Sequence, residues 1–242
     1  MSDIVLHASN VGKTFGQKTV LADCNLDVSA GEICGVIGPN GAGKTTLLKI
    51  LCMLAYPTVG SVRINAQEAT SRSMNDLLPQ LGVSFEAPQF QRRTTAAEVL
   101  QQHMFMVGAP APSRKQVENQ LERVGLPGSA DSLASTFSLG MRQRLALARA
   151  TMHSPRLLIL DEPLNGLDPT GIRFLREYLR EAASDGTAII VASHILSEVE
   201  KTCDSVVAIV QGTTANHKRI DQLEGVSGSK VDGYYSELNK GA

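Results

Sequence analysis

The chain opens with alternation. In "IVLHASNV" (4–11) and "ADCNLDV" (22–28) apolar and polar residues take turns, which predicts half-exposed antiparallel strands. "EICGVIG" (32–38) is nearly continuous in apolar residues, as a strand buried on both faces should be. After a glycine turn, "KTTLLKILCML" (44–54) sets leucine and isoleucine at helical spacing, and short strands follow at "SVRIN" (61–65) and "LGVSFE" (81–86). Between 87 and 153 the pattern turns helical. "TTAAEVLQQHMFMV" (94–107) and "SRKQVENQLERVGL" (113–126) are amphipathic helices parted by the breaker "GAPAPS", with Met104 and Met106 expected in the core. Alternation of element type then returns. "PRLLILDEP" (155–163), "TAIIVASH" (187–194) and "DSVVAIVQG" (204–212) read as strands, with helices between them. Strands alternating with helices predict a mainly parallel sheet. The expectation is a single α/β domain over 1–242, with an antiparallel β arm and a helical subdomain inserted at 87–153. The small, polar tail at 225–242 is expected to pack loosely.

Composition narrows this picture. With 242 residues, 43% of them hydrophobic, the chain can bury a large core. A net charge of -1 gives no bulk nucleic-acid footprint, so no nucleic-acid partner is expected. No apolar run approaches the roughly 18 residues of a membrane span, and the start lacks the pattern of a signal peptide. Cys24, Cys34, Cys52 and Cys203 lie far apart without a CxxC, which predicts buried free thiols in a reducing, cytoplasmic setting.

The candidate chemistry begins at "GPNGAGKTT" (38–46), which fits G-x-x-x-x-G-K-[ST] between a buried strand and a helix. Gly38, Gly41 and Gly43 let the backbone curl around Pro39, so that the N–H groups of the loop, those of Asn40, Ala42 and Thr46 among them, converge on an anion. Lys44 reaches the phosphates, and the Thr45 hydroxyl is a candidate Mg²⁺ ligand. "LLILDEP" delivers Asp161 to a strand end, where ligands sit in parallel sheets. Asp161 is the second candidate Mg²⁺ ligand, and Glu162 is the candidate base for an attacking water.

These stretches, with "FSLGMRQR", "NGLD" and "ASH" in this order, resemble the ATP-binding cassette ATPases over about residues 3 to 224. The resemblance implies a P-loop NTPase that binds ATP and Mg²⁺ and hydrolyses ATP. It implies a head-to-tail dimer, in which Ser138 and Gly140 of one copy cover the ATP of the other, and separate membrane permease subunits that hold the protein at the inner face of the membrane. Asp168 then resembles the residue ending the loop that signals between the two sites, His194 the switch histidine, and Phe15 the aromatic that stacks on adenine. The signature departs from the usual pattern in having Leu139 for glycine and Met141 for glutamine. Glu86 stands where most of these ATPases carry a glutamine that senses Mg²⁺ and contacts the membrane partner, and Arg92 and Arg93 lie just beyond it. "FEAPQF" together with "FSLGMRQR" resembles the branch serving bacitracin-type and lantibiotic transporters. An ATPase that signals or does mechanical work through a membrane partner would share every one of these motifs. A translation or DNA-repair ATPase would usually add a second cassette or a long coiled-coil insert, and neither is present in the sequence.

Overall fold

In the computed structural model, which describes residues 3–85, 88–215, 217–223 and 229–240, the two alternating stretches at the start pair as antiparallel strands. They are β1 (Ile4–Phe15) and β2 (Lys18–Ser29), and β2 buries Cys24, Leu26 and Val28 while the residues between them face solvent. β3 (Ile33–Ile37) is buried at every position and leads into α1 (Lys44–Leu51). β4 (Val59–Ile64) extends the arm by pairing with β1, and β5 (Gln67–Glu68) pairs with β4. α2 (Met74–Leu77) leads to β6 (Leu81–Ser84).

The helical block follows as α3 (Ala96–Met106), α4 (Arg114–Arg123) and α5 (Leu139–Thr151). α3 and α4 each start with a capping box, Thr95 with Glu98 and Ser113 with Gln116, which satisfies N–H groups that a helix start leaves unpaired. Met104 is buried as expected, but Met106 is 75% exposed, because the last turn of α3 leaves the block and faces a groove described below.

The chain then returns to the sheet through β7 (Leu157–Asp161), α6 (Pro169–Ser184), β8 (Ala188–Ala192), α7 (Leu196–Thr202) and β9 (Ser205–Val210). β6, β7, β8, β3 and β9 lie side by side and parallel. The two-residue strand β10 (Thr213–Thr214) bridges β9 to β2, so the parallel sheet and the arm are continuous. β11 (Lys218–Arg219) pairs antiparallel with β9.

Successive residues of the central strands serve opposite layers. Ile33, Ile37, Leu158, Leu160, Ile189 and Val191 pack against the helical block, α6 and α7. Cys34, Val36, Leu157, Ile159, Ile190 and Val207 pack against α1 and the arm. Both faces are covered, which is why these strands are apolar throughout. The tail corrects an expectation. Residues 225–228, 241 and 242 lie outside the described residues, but the rest forms α8 (Lys230–Lys240), which packs on α7 and β9. Val231, Tyr234, Tyr235 and Leu238 recur at helical spacing and give a polar segment one apolar face, with Val231 and Tyr234 buried. All four cysteines are buried free thiols.

Candidate active site

β3 ends at the glycine-rich loop, and the loop ends at α1. Gly43, directly before α1, has φ 107°, and a Cβ there would stand 2.6 Å from Leu21 Cδ2. Backbone conformation and close packing both require glycine. The loop and the start of α1 wall a cleft of about 220 Å³ lined by Val20, Pro39, Asn40, Gly41, Gly43, Lys44, Thr45, Thr46, Asp161 and Glu162. Unpaired N–H groups at a helix start carry partial positive charge, so this cleft suits an anion. Lys44 is buried, and its ammonium donates to the carbonyls of Gly38 at 2.8 Å and Pro39 at 3.4 Å.

Three strand ends converge here. β7 brings Asp161, whose Oδ2 accepts from the Thr45 hydroxyl at 2.7 Å. These hard oxygen donors, side by side at the cleft, fit a Mg²⁺ ion. Glu162 follows with φ 49°, a left-handed conformation uncommon outside glycine. Its N–H donates to Ala192 O at 2.9 Å, which ties the turn to the end of β8. Glu162 Oε1 lies 3.9 Å from Lys44 Nζ, and Oε2 lies 2.9 Å from His194 Nδ1. A buried carboxylate is thus flanked by an ammonium and an imidazole. Glu86, the third expected Mg²⁺ ligand, lies outside the described residues.

Ser138, Gly140 and Asp168 do not line this cleft. Ser138 is the exposed N-cap of α5, and its Oγ accepts from Met141 N at 3.3 Å. Arg142 Nη1 donates to Phe137 O at 2.7 Å and braces the same turn. Asp168 caps α6, accepting from Gly171 N at 2.7 Å. Gln143 joins the two stretches by donating to Asn165 O. Phe15 is 54% exposed at the end of β1, with Lys13 Nζ 5.1 Å from its ring centre. Sequence reasoning missed Val20 and Gln143. Val20 carries no sequence signal, since only the crossing of β2 over the loop brings it to the cleft. Gln143 was legible by spacing: it follows Gly140 by three residues and shares its helix face.

A second concavity, a groove of about 490 Å³, lies between β6 and α3 and is lined by Leu81, Val83, Val99, His103 and Arg149 among others. Leu54 and Met106 border it at 66% and 75% exposure, so its rim sets large apolar side chains in water. Burial pushes the Arg149 guanidinium down, and it lies 5.6 Å from the Phe90 ring centre.

Residues 21–165 match the ABC transporter family. The bacitracin transport ATP-binding protein BcrA of Enterococcus faecalis is 40% identical over 91% of this chain and 71% of its own length. The lantibiotic transport ATP-binding protein SrtF of Streptococcus pyogenes is 37% identical over 91% of this chain and 93% of its own. YdbJ of Bacillus subtilis (strain 168), an ABC transporter ATP-binding protein of uncharacterized role, is 40% identical over 88% of this chain and 68% of its own. Among solved structures, an ATP-binding subunit of an ABC transporter superposes with a TM-score of 0.87 at 29% identity, covering 97% of this chain and 99% of that one.

Proposed function

Because the chain belongs to the ABC transporter ATP-binding family, we propose that it hydrolyses MgATP in a head-to-tail dimer to drive a separate peptide-antibiotic permease, for export or self-immunity. As a member of that family it binds and hydrolyses ATP and works with membrane permease subunits. Among the described residues no helix is long and apolar enough to cross a membrane. In this reading the chain works in the cytoplasm at the membrane's inner face, held there by permease subunits on another polypeptide. The single observation that carries the antibiotic reading is the 40% identity to a bacitracin transport subunit over 91% of this chain.

In this reading the β- and γ-phosphates lie on the N–H groups of residues 40–46, and Lys44 exchanges its loop carbonyls for phosphate oxygens. Thr45 and Asp161 hold Mg²⁺, which when bound neutralises charge on the phosphates. Glu162 orients a water against the γ-phosphorus and accepts its proton, while the bond to the bridging oxygen breaks and leaves ADP. His194, bonded to Glu162 Oε2, fixes the carboxylate and faces the transferred phosphate. Ser138 and Gly140 of the second copy close the site. Asp168 ends the loop that reports on it, and Phe15 stacks on adenine. The groove between β6 and α3, with Glu86, Arg92 and Arg93 nearby in sequence, is the face offered to the permease.

The test is protection. The chain is co-expressed in a sensitive host with a candidate permease, sought among the genes beside its own, and inhibitory concentrations of bacitracin and of a lantibiotic are measured. The wild type should raise at least one of them, and Glu162→Gln should raise neither. A membrane complex that hydrolyses ATP yet protects against no peptide antibiotic would overturn the assignment of substrate class and favour signalling or mechanical work.

A further inference from the structure

Leu139 stands in the signature turn where the resemblance leads one to expect glycine, and the structure gives this side chain a definite seat. Gly166 has φ 73°, and Leu139 Cδ2 occupies the space into which a Cβ at Gly166 would project. The fit is reciprocal: Leu167 Cδ2 lies 3.7 Å from the Cβ position of Gly140. Three residues after Gly140, Gln143 Nε2 donates to the carbonyl of Asn165, and Asn165 N donates to Glu162 O at 3.2 Å. A large residue in the signature thus meets a glycine in the 165–168 loop, and a large residue in the loop meets a glycine in the signature. The same loop is hydrogen-bonded back to the residue that flanks Lys44 and His194.

We infer that Leu139 is a positioning residue: seated over Gly166, it locks the start of α5 to the 165–168 loop of its own chain, so that Ser138 and Glu162 move as one body. The inference rests on the reading that Ser138 faces a second copy's ATP. Closure of the signature onto a partner's phosphate would then set the geometry of Glu162 in the chain that supplies the signature. Leu139 is 41% exposed, so truncating it removes little core. Its loss is expressed as misplacement of the catalytic carboxylate rather than as unfolding.

The experiment measures kcat, KM for ATP and Tm of the full chain for Leu139→Ala, Leu139→Met, Gly166→Ala and the double variant Leu139→Ala/Gly166→Ala, with Ser138→Arg run alongside. Leu139→Ala should lower kcat about ten-fold at nearly unchanged KM and Tm. Leu139→Met, whose unbranched side chain still reaches Gly166, should recover most of that loss. In the Gly166→Ala background, where the seat is already filled, Leu139→Ala should add little further loss, because the two positions share one contact. A Leu139→Ala rate at or above wild type would overturn the inference and leave the leucine a steric burden. Fully additive losses would overturn it as well. The reading beneath it fails separately: if Ser138→Arg keeps the wild-type rate, the signature does not face a partner's ATP. If Ser138→Arg is inactive and Leu139→Ala is not impaired, only the locking role is lost.

Discussion

Glu162 occupies a backbone conformation that costs about 1–3 kcal/mol for a residue with a side chain. The surroundings hold it there: its N–H is fixed on Ala192, one carboxylate oxygen on His194, and the other near Lys44. The sharp turn gives Glu162 partners other than those of Asp161, so that in the proposed function two adjacent acids serve different ends, one for the metal and one for the water. Glu162→Gln preserves volume and removes the base. Hydrolysis should fall about 10²–10⁴-fold while ATP binding survives, and the nucleotide-bound dimer should accumulate. Turnover assays and sizing with MgATP check this, and wild-type turnover would remove Glu162 from the base's role. These residues were legible because the phosphate loop and "LLILDEP" each set chemistry at a strand end, a place where backbone topology alone converges side chains. The seat of Leu139 was not legible, since it depends on how α5 and the 165–168 loop meet.

At the scale of elements, α5 differs from its neighbours. α3 and α4 begin with two-way capping boxes that close their first turns on themselves. α5 begins with Ser138 alone, whose hydroxyl accepts from Met141 N and keeps its own proton to give. A helix start built in this way, exposed and outside the phosphate cleft, is suited to an anion brought by another molecule. Mixing a Lys44→Ala subunit with a Ser138→Arg subunit tests this. In a head-to-tail heterodimer one composite site carries both lesions and the other neither. Each parent should be inactive, and an equal mixture should recover at most about a quarter of the wild-type rate, since half the dimers are mixed and each has one intact site. No recovery where heterodimers demonstrably form would end the head-to-tail proposal. The long elements were legible from periodicity, whereas β10 and β11, two residues each, exist only through their pairing with β2 and β9. α8 was misread because its composition is polar, although its four apolar residues are spaced for one face.

Across the whole molecule the parallel sheet has two ends with different duties. β3 reaches the phosphate loop at Gly38, and near its other end Cys34 lies about 13 Å away, four strand residues at roughly 3.3 Å each. There Glu32 and Cys34 meet His217, which precedes β11: Cys34 Sγ is 3.6 Å and Glu32 Oε1 3.2 Å from His217 Nε2. Ser205 Oγ donates to the same Glu32 oxygen, while Asp204, one residue before it, is held by Arg180 and by Ile33 N. Hydrogen bonds to Cys34 and to Glu32 push the His217 imidazole up to about 10. Burial alone would raise the Glu32 carboxyl, but hydrogen bonds from His217 and Ser205 outweigh it and hold the group below the ordinary carboxylate range. A raised histidine stabilises the fold fully below its unfolded value near 6.5, and that contribution is lost as pH climbs through about 10. A lowered carboxylate contributes above its unfolded value near 4.5 and is lost as pH falls below it. The contact should therefore hold the segment around β11 to the sheet most firmly between these limits. His217→Gln should lower the urea midpoint near pH 6 and flatten the decline of stability from pH 7 to 10. Because the contact lies at the end of the sheet away from the phosphate loop, ATPase activity at pH 7 should change little. Urea midpoints against pH, with ATPase rates on the same samples, decide the matter: an unchanged alkaline slope in His217→Gln would show that the imidazole does not carry this stability, and a lost ATPase rate at an unchanged midpoint would show that the two ends of the sheet are coupled.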